Sequence, residues 1–218
     1  MNSTDLLATF REEMADAVEP YLWSDAWFYR NLDEAQMMFC RLTEGIEDSR
    51  TATITSVPIT AATEWYSLSK LILKVRSALI TSTGEDVPVY NSETYREAGI
   101  RFDGRVAPLR AFVTGLDKHA LRAWPVPSSD IAVTLSVFRL PLVEITDDGD
   151  QELEIDRQHH LPLLHWVKHK AYDKQDAETF DRRKSDEFSQ RFRQYCAASR
   201  VEQERVRRSV RSVSYGGI

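Results

Sequence analysis

The chain has 218 residues, 28% of them charged and 42% apolar, and carries a net charge of −6. That balance describes a globular protein long enough to bury a core without staples, and it excludes a disordered chain. No apolar run approaches the ~20 residues that span a bilayer, and the opening MNSTDLLATFREEM lacks the basic-then-apolar order of a signal peptide.

The predicted elements begin with a helix capped by Ser3 or Thr4, on which Leu6, Leu7, Phe10, Met14 and Ala17 recur at three- and four-residue spacing. Pro20 lies past its end. Ser24 caps a second helix over residues 25–46, with Phe28, Leu32, Ala35, Phe39, Leu42 and Ile46 in one stripe.

From residue 51 to 146 the period shortens to two, and TATITSV, LILKVRSALI, RAFVTG, ALRAW and IAVTLSVFRL read as strands. In the second of these, Leu71, Leu73, Val75 and Leu79 share a face opposite Lys74 and Arg76. In the last, Ile131, Val133, Leu135 and Val137 alternate. Turn chemistry separates them at Gly84, Asp103-Gly104, Pro125 to Pro127 and Asp147 to Asp150, with a short helix expected at 92–98.

Helical patterning returns after Leu153. LPLLHWVKHKAY is apolar nearly all round and should be buried, with Pro162 tolerated only in its first turns. A last helix starts near Asp181, anchored by Phe188, Phe192 and Tyr195. Beyond Ser199 only Val206, Val210 and Val213 remain among arginines, a strip too weak to hold a helix alone, and SVSYGGI reads as loose or partner-bound.

The fold class that follows is α+β, a helical bundle built from both chain ends with an inserted antiparallel β region. Residues 1–50 with 150–199 form the helical body, 51–149 the β-rich insertion, and 200–218 a basic C-terminal arm. Charge follows the same division. From Arg182 onward ten Lys/Arg face four Asp/Glu, a local +6 that leaves −12 on the first 181 residues.

Motifs for chemistry are sparse. His165 and His169 are four apart in HHLPLLHWVKH, close enough on a helix to face one metal ion. Trp166 stands where a zinc-protease helix needs glutamate, so these rings read as packing groups at a helix or subunit boundary. DDGDQELEID does not align to a calcium loop and reads as a solvated turn. There is no GxGxxG, P-loop, GxSxG or CxxC, and no carboxylate pair is singled out. Cys40 and Cys196, each alone in an amphipathic stretch, read as core thiols of a reducing compartment. The expectation is a protein with no catalytic residue, cofactor or metal. The arginines and aromatics of RRKSDEFSQRFRQY suit a nucleic-acid strand, but their core-stripe spacing favours burial of the rings. The arm after Ser199 suits protein docking best.

Two segments carry a family resemblance. LLATFREEMADAVEPYLWSDAWFYRNLDEAQMMFCRL resembles the start of the head-to-tail adaptor (connector) proteins of tailed phages, with a first helix, a PYLWSD turn and a NLDEAQ helix. DQELEIDRQHHLPLLHWVKHKAYDKQDAETFDRRKSDEFSQRF resembles their closing helical pair and its KQDAETFD connector. The resemblance, to podovirus-like neck rings, implies a non-enzymatic structural ring of about twelve copies under the portal. It would extend the DNA channel, let genomic DNA pass without sequence-specific binding, and offer a platform for a tail or nozzle protein. The implied setting is the virion neck, reached after synthesis in a bacterial cytoplasm, with no membrane partner. Within that frame the arm is expected to dock the portal. Val206, Val210 and Val213 would enter a groove, Arg205, Arg207, Arg208 and Arg211 would meet acidic residues or carbonyls, and Tyr215 would anchor the end. Two alternatives stand beside it, a tail-tube or neck protein one ring further down and a DNA-binding accessory protein using the arm.

Overall fold

The computed structural model describes residues 1–147, 150–175 and 179–208, with the backbone alone for Arg207 and Arg208. The described residues mix α and β structure, five α-helices and eleven strands, in two compact units. Residues 1–44 with 141–218 make one unit and residues 45–140 the other.

In the first unit, α1 (Ser3–Glu13) is capped one residue earlier than expected. The Asn2 side chain accepts from the Asp5 N–H while the Asp5 carboxylate accepts from the Asn2 N–H, a reciprocal capping box. Ser3 is instead buried, its hydroxyl accepting from the Gln151 N–H. The helix also stops earlier, at Glu13, because Ala15 turns to a φ of 55°. Leu6, Leu7 and Phe10 are buried as expected, but Ala17 is exposed. The buried Asp16 carboxylate accepts from the N–H of Leu22 and Trp23, which bends the chain so that Trp23 meets Phe10 edge-on at 5.7 Å.

Ser24 caps α2 (Asp25–Thr43), and Phe28, Leu32, Ala35, Phe39 and Cys40 lie buried along it. The predicted extension to Ile46 is corrected. Glu44 and Gly45 take φ of 80° and 91°, left-handed values that end the helix. A Cβ on Gly45 would lie 2.6 Å from the Arg139 carbonyl oxygen, so a side chain there is excluded.

The second unit begins with β1 (Ile46–Asp48). TATITSV then departs from expectation by forming a helical turn, α3 (Ala52–Thr55), before β2 (Ser56–Ile59). The cause is Asp48, whose carboxylate accepts from the N–H of Arg50 and Thr51 and starts the turn. β3 (Trp65–Ser67), β4 (Ile72–Ile80), β5 (Asp86–Val87) and β6 (Val89–Asn91) follow. Then come β7 (Val106–Ala107), β8 (Ala111–Thr114), β9 (Ala120–Trp124), β10 (Val126–Pro127) and β11 (Ile131–Arg139). One sheet runs β1-β11-β4-β5, with β2 also on β11; a second runs β3-β9-β8-β6. Most pairs are antiparallel, but β6–β8 and β7–β10 are parallel, a departure from a purely antiparallel region. Residues 92–98 make successive turns rather than a helix.

β11 alternates as expected, with Val133, Leu135 and Val137 fully buried. β4 does not. Its register against β11 skips Arg76 and Leu73, so two bulges interrupt the alternation of its side chains. Ile72 and Ala78 point into the core, while Leu73 and Leu79 are 39% and 37% exposed.

Helical structure resumes in the first unit with a 3-10 turn at Arg157–His159, then α4 (His160–Asp173) and α5 (Arg182–Arg208). Pro162 occupies the first turn of α4, where its missing N–H costs nothing. Leu163, Leu164, Trp166, Val167 and Ala171 are buried, whereas Leu161 is about half exposed. The expectation of burial all round is corrected at that residue.

Candidate docking surface

The expected docking residues lie on α5 and beyond, so the site is built along that helix. Asp181 starts it, its carboxylate accepting from the Lys184 N–H and its carbonyl from the Ser185 N–H. Ser185 is fully buried and shares a 2.8 Å hydrogen bond with His169 Nδ1. Phe188 stacks on Tyr172 at 5.9 Å and on His165 at 6.0 Å, while Phe192, fully buried, meets Trp166 at 5.3 Å. Tyr195 shares a 2.8 Å hydrogen bond with His159 Nδ1, and His159 in turn lies 4.7 Å from the Phe39 ring. Cys196 and Ser199 complete the buried stripe. Burial pushes the Cys196 thiol up to about 12, so it stays an inert, protonated packing group.

The histidines are thus spread through the packing. His160 Nδ1 and Nε2 bond the Met1 and Ile155 carbonyl oxygens, His169 holds Ser185, and His159 holds Tyr195. Burial is the chief reason that His159 and His165 titrate below the ordinary imidazole range. Among the described residues no group of three His, Cys, Asp or Glu side chains could hold a metal. None of their helices is long and apolar enough to cross a membrane.

After Ser199 the environment changes but the helix continues to Arg208, contrary to the expectation that its apolar strip is too weak. The anchored first half has already met the cost of nucleation, and each further residue adds a hydrogen bond at little cost. Ion pairs help. Arg200 bridges Glu204 at 3.3 Å, one turn on, and Glu44 at 3.5 Å. Of the expected docking residues, Arg205 and Val206 are exposed on this last stretch, Val206 by 67%. Arg207 and Arg208 end the helix. Val210, Arg211, Val213 and Tyr215 lie outside the described residues.

The sequence reading missed two exposed apolar features. Val201, 49% exposed, falls off the three-and-four spacing that defined the stripe. Val18, Tyr21 and Leu22 protrude from the turn after α1 at 79%, 40% and 45%, with the Arg11 guanidinium 3.4 Å above the Tyr21 ring. Four apolar or aromatic residues crowd VEPYLW, yet Asp16 buries only Trp23 among them, which the sequence does not announce.

Both features expose apolar side chains to solvent. No curated protein matches the chain. A family model described as SU10 adaptor protein matches residues 1–214, taking in both helical segments and the β region between them. The chain therefore belongs to the SU10 adaptor protein family, the phage head-to-tail adaptors that its opening and closing segments resemble.

Proposed function

We propose that this adaptor forms a ring, of about twelve subunits, beneath the portal of a tailed phage. In this reading the two chain ends make one helical body, the bundle anticipated from periodicity, and residues 45–140 are an insertion within it. The ring extends the channel through which genomic DNA leaves and carries a tail or nozzle protein below. The acidic first 181 residues favour such a channel, since an acidic wall repels the phosphate backbone and lets DNA slide. Residues 200–218 are the portal-docking arm.

The observation that carries the reading is the second half of α5. A continuous helix runs nine residues past its last buried side chain, Ser199, and presents Val201, Arg205 and Val206 to solvent. A lone helix end gains nothing from exposed valines, whereas a partner groove buries them and meets the arginines with carboxylates or carbonyls. Each contact is weak, but a ring repeats it in every subunit, so avidity secures attachment.

The test mixes the purified chain with cognate portal rings and images the product. The full chain should form a ring on the portal. A chain lacking residues 200–218 should remain folded and fail to join. Normal assembly of the truncated chain would remove the arm from docking, and any non-ring arrangement on the particle would remove the ring.

A further inference from the structure

Val18, Tyr21 and Leu22 protrude from the turn after α1, and the turn that carries them is pinned in place. Asp16 accepts from the N–H groups of Leu22 and Trp23, Trp23 is buried against Phe10, and the Arg11 guanidinium lies over the Tyr21 ring. Apolar side chains on a preorganised turn leave a partner little ordering cost.

The same turn has an excess of negative charge. Arg11 is shared by Asp16 and Asp25, and Lys168 is matched by Glu13. Glu12 and Glu19 are exposed and form no ion pair with a described residue. Five carboxylates thus stand against two cations. The end of α5 is alike in its exposed valines and opposite in charge. Val201 and Val206 face solvent there, and from Arg205 to the C-terminus the sequence has four arginines and no acid.

These two surfaces of one copy cannot meet. Lys168, which holds Glu13 at the end of α1, lies 5.4 Å from the centre of the Phe188 ring, so the turn sits beside the start of α5. Arg208 is twenty residues further along that helix, about 30 Å away. Val213 is only five residues beyond it, a reach of at most ~18 Å.

We propose that the turn is a docking site for the C-terminal arm of a second copy of this chain, occupied when no portal holds that arm. The arm's valines pack on Val18 and Leu22, and its arginines meet Glu12 and Glu19. A contact between two different surfaces is heterologous, so it passes from copy to copy and closes a ring or extends a filament. The inference rests on the reading of residues 200–218 as a docking element, and gives that element a second place to bind.

The experiment titrates a fluorescently labelled peptide of residues 200–218 with the full-length chain, read by anisotropy, and follows the chain alone by sedimentation velocity across concentrations. The peptide should bind, and a version with serine at its four valines should bind at least tenfold more weakly. The chain should self-associate until excess unlabelled peptide disperses it. Glu19→Lys should weaken peptide binding at least tenfold and Val18→Ser at least threefold, both positions being exposed, with the thermal midpoint unchanged. No peptide binding, equal binding of the serine peptide, or indifference to both turn variants overturns the proposal. Self-association that the peptide does not disperse assigns the copies to another contact and overturns it too. Portal attachment is read separately: a chain that joins portals without binding the peptide loses this inference alone.

Discussion

The two halves of α5 are one helix with two kinds of support. From Ser185 to Ser199, side chains at three- and four-residue spacing are buried against α4 and the aromatic residues around it. From Arg200 to Arg208 the same helix is held by its own hydrogen bonds and a few exposed ion pairs. The comparison teaches that a helix's existence and its anchoring are separate quantities. Burial in the first half sets stability, and the second half inherits its shape while leaving Val201 and Val206 exposed.

The strongest way to break the comparison is to remove the anchor. Phe192 is fully buried, and truncating such a ring costs about 3–5 kcal/mol. Phe192→Asp adds an unpaired charge to that loss and should approach a domain's entire stability of ~5–15 kcal/mol. Loss of the cooperative thermal transition of the helical unit by circular dichroism is the expected result. Phe39→Asp, on the facing stripe of α2, should do the same. A retained transition in either variant would mean that the stripe is not the core.

The β unit offers a parallel contrast between two ion pairs on β1. Asp48 and Arg139 are both buried and joined at 2.6 Å. Burial works against the Asp48 charge, yet hydrogen bonds from Thr51, Arg139 and Arg50 outweigh it and hold the carboxyl well below its usual range. Glu47 pairs with Arg76 at the surface. Asp48→Ala removes one member of a buried, hydrogen-bonded pair and should cost about 3–5 kcal/mol, whereas Glu47→Gln should cost less than ~1 kcal/mol. Urea titration of both variants checks the ratio; equal losses would contradict the distinction.

A smaller effect comes from the histidines that border the anchored half of α5. His159 and His165 have folded values depressed below the ordinary 6.5, chiefly by burial. The unfolded chain therefore takes up protons first as pH falls. Their contribution is full above about pH 6.5 and declines as pH drops toward the depressed folded values. The thermal midpoint should fall by a few degrees between pH 7.5 and 5.5, and His159→Gln should shrink that fall. An unchanged midpoint across this window would show that neither ring is neutral in the folded state.

How much of this was legible in the sequence follows the same physics. Helix α2 and the buried half of α5 were readable because a 3.6-residue stripe is long and tolerates an error of one residue. β11 was readable because Ile131, Val133, Leu135 and Val137 alternate along most of the strand. β4 was not, since two bulges interrupt its alternation and nothing in LILKVRSALI marks them. TATITSV begins with a helical turn before its strand because of Asp48, a residue outside the segment. On α5 the buried aromatic anchors were legible, but the persistence of the helix to Arg208 was not. Propensity in isolation undervalues a helix that has already been nucleated.

The smallest expected change in stability sharpens the opening comparison most. Val206 is 67% exposed on the second half of α5, beyond every buried residue of the stripe. Val206→Ala removes two methyl groups that bury little apolar area in the free chain, so the direct loss of packing is slight. Alanine also favours the helix over valine by up to ~0.7 kcal/mol. The free protein should thus be unchanged or slightly more stable, within about 0.5 kcal/mol by thermal melting. Portal attachment should respond in the opposite direction. If a groove buries Val206, the variant loses the contact in every subunit, and a small deficit repeated around a ring becomes a large one. Co-sedimentation with portal rings should then fall while the melt stays put. A variant that melts lower would show that Val206 supports the helix from within, and one that attaches normally would take this residue out of the docking surface.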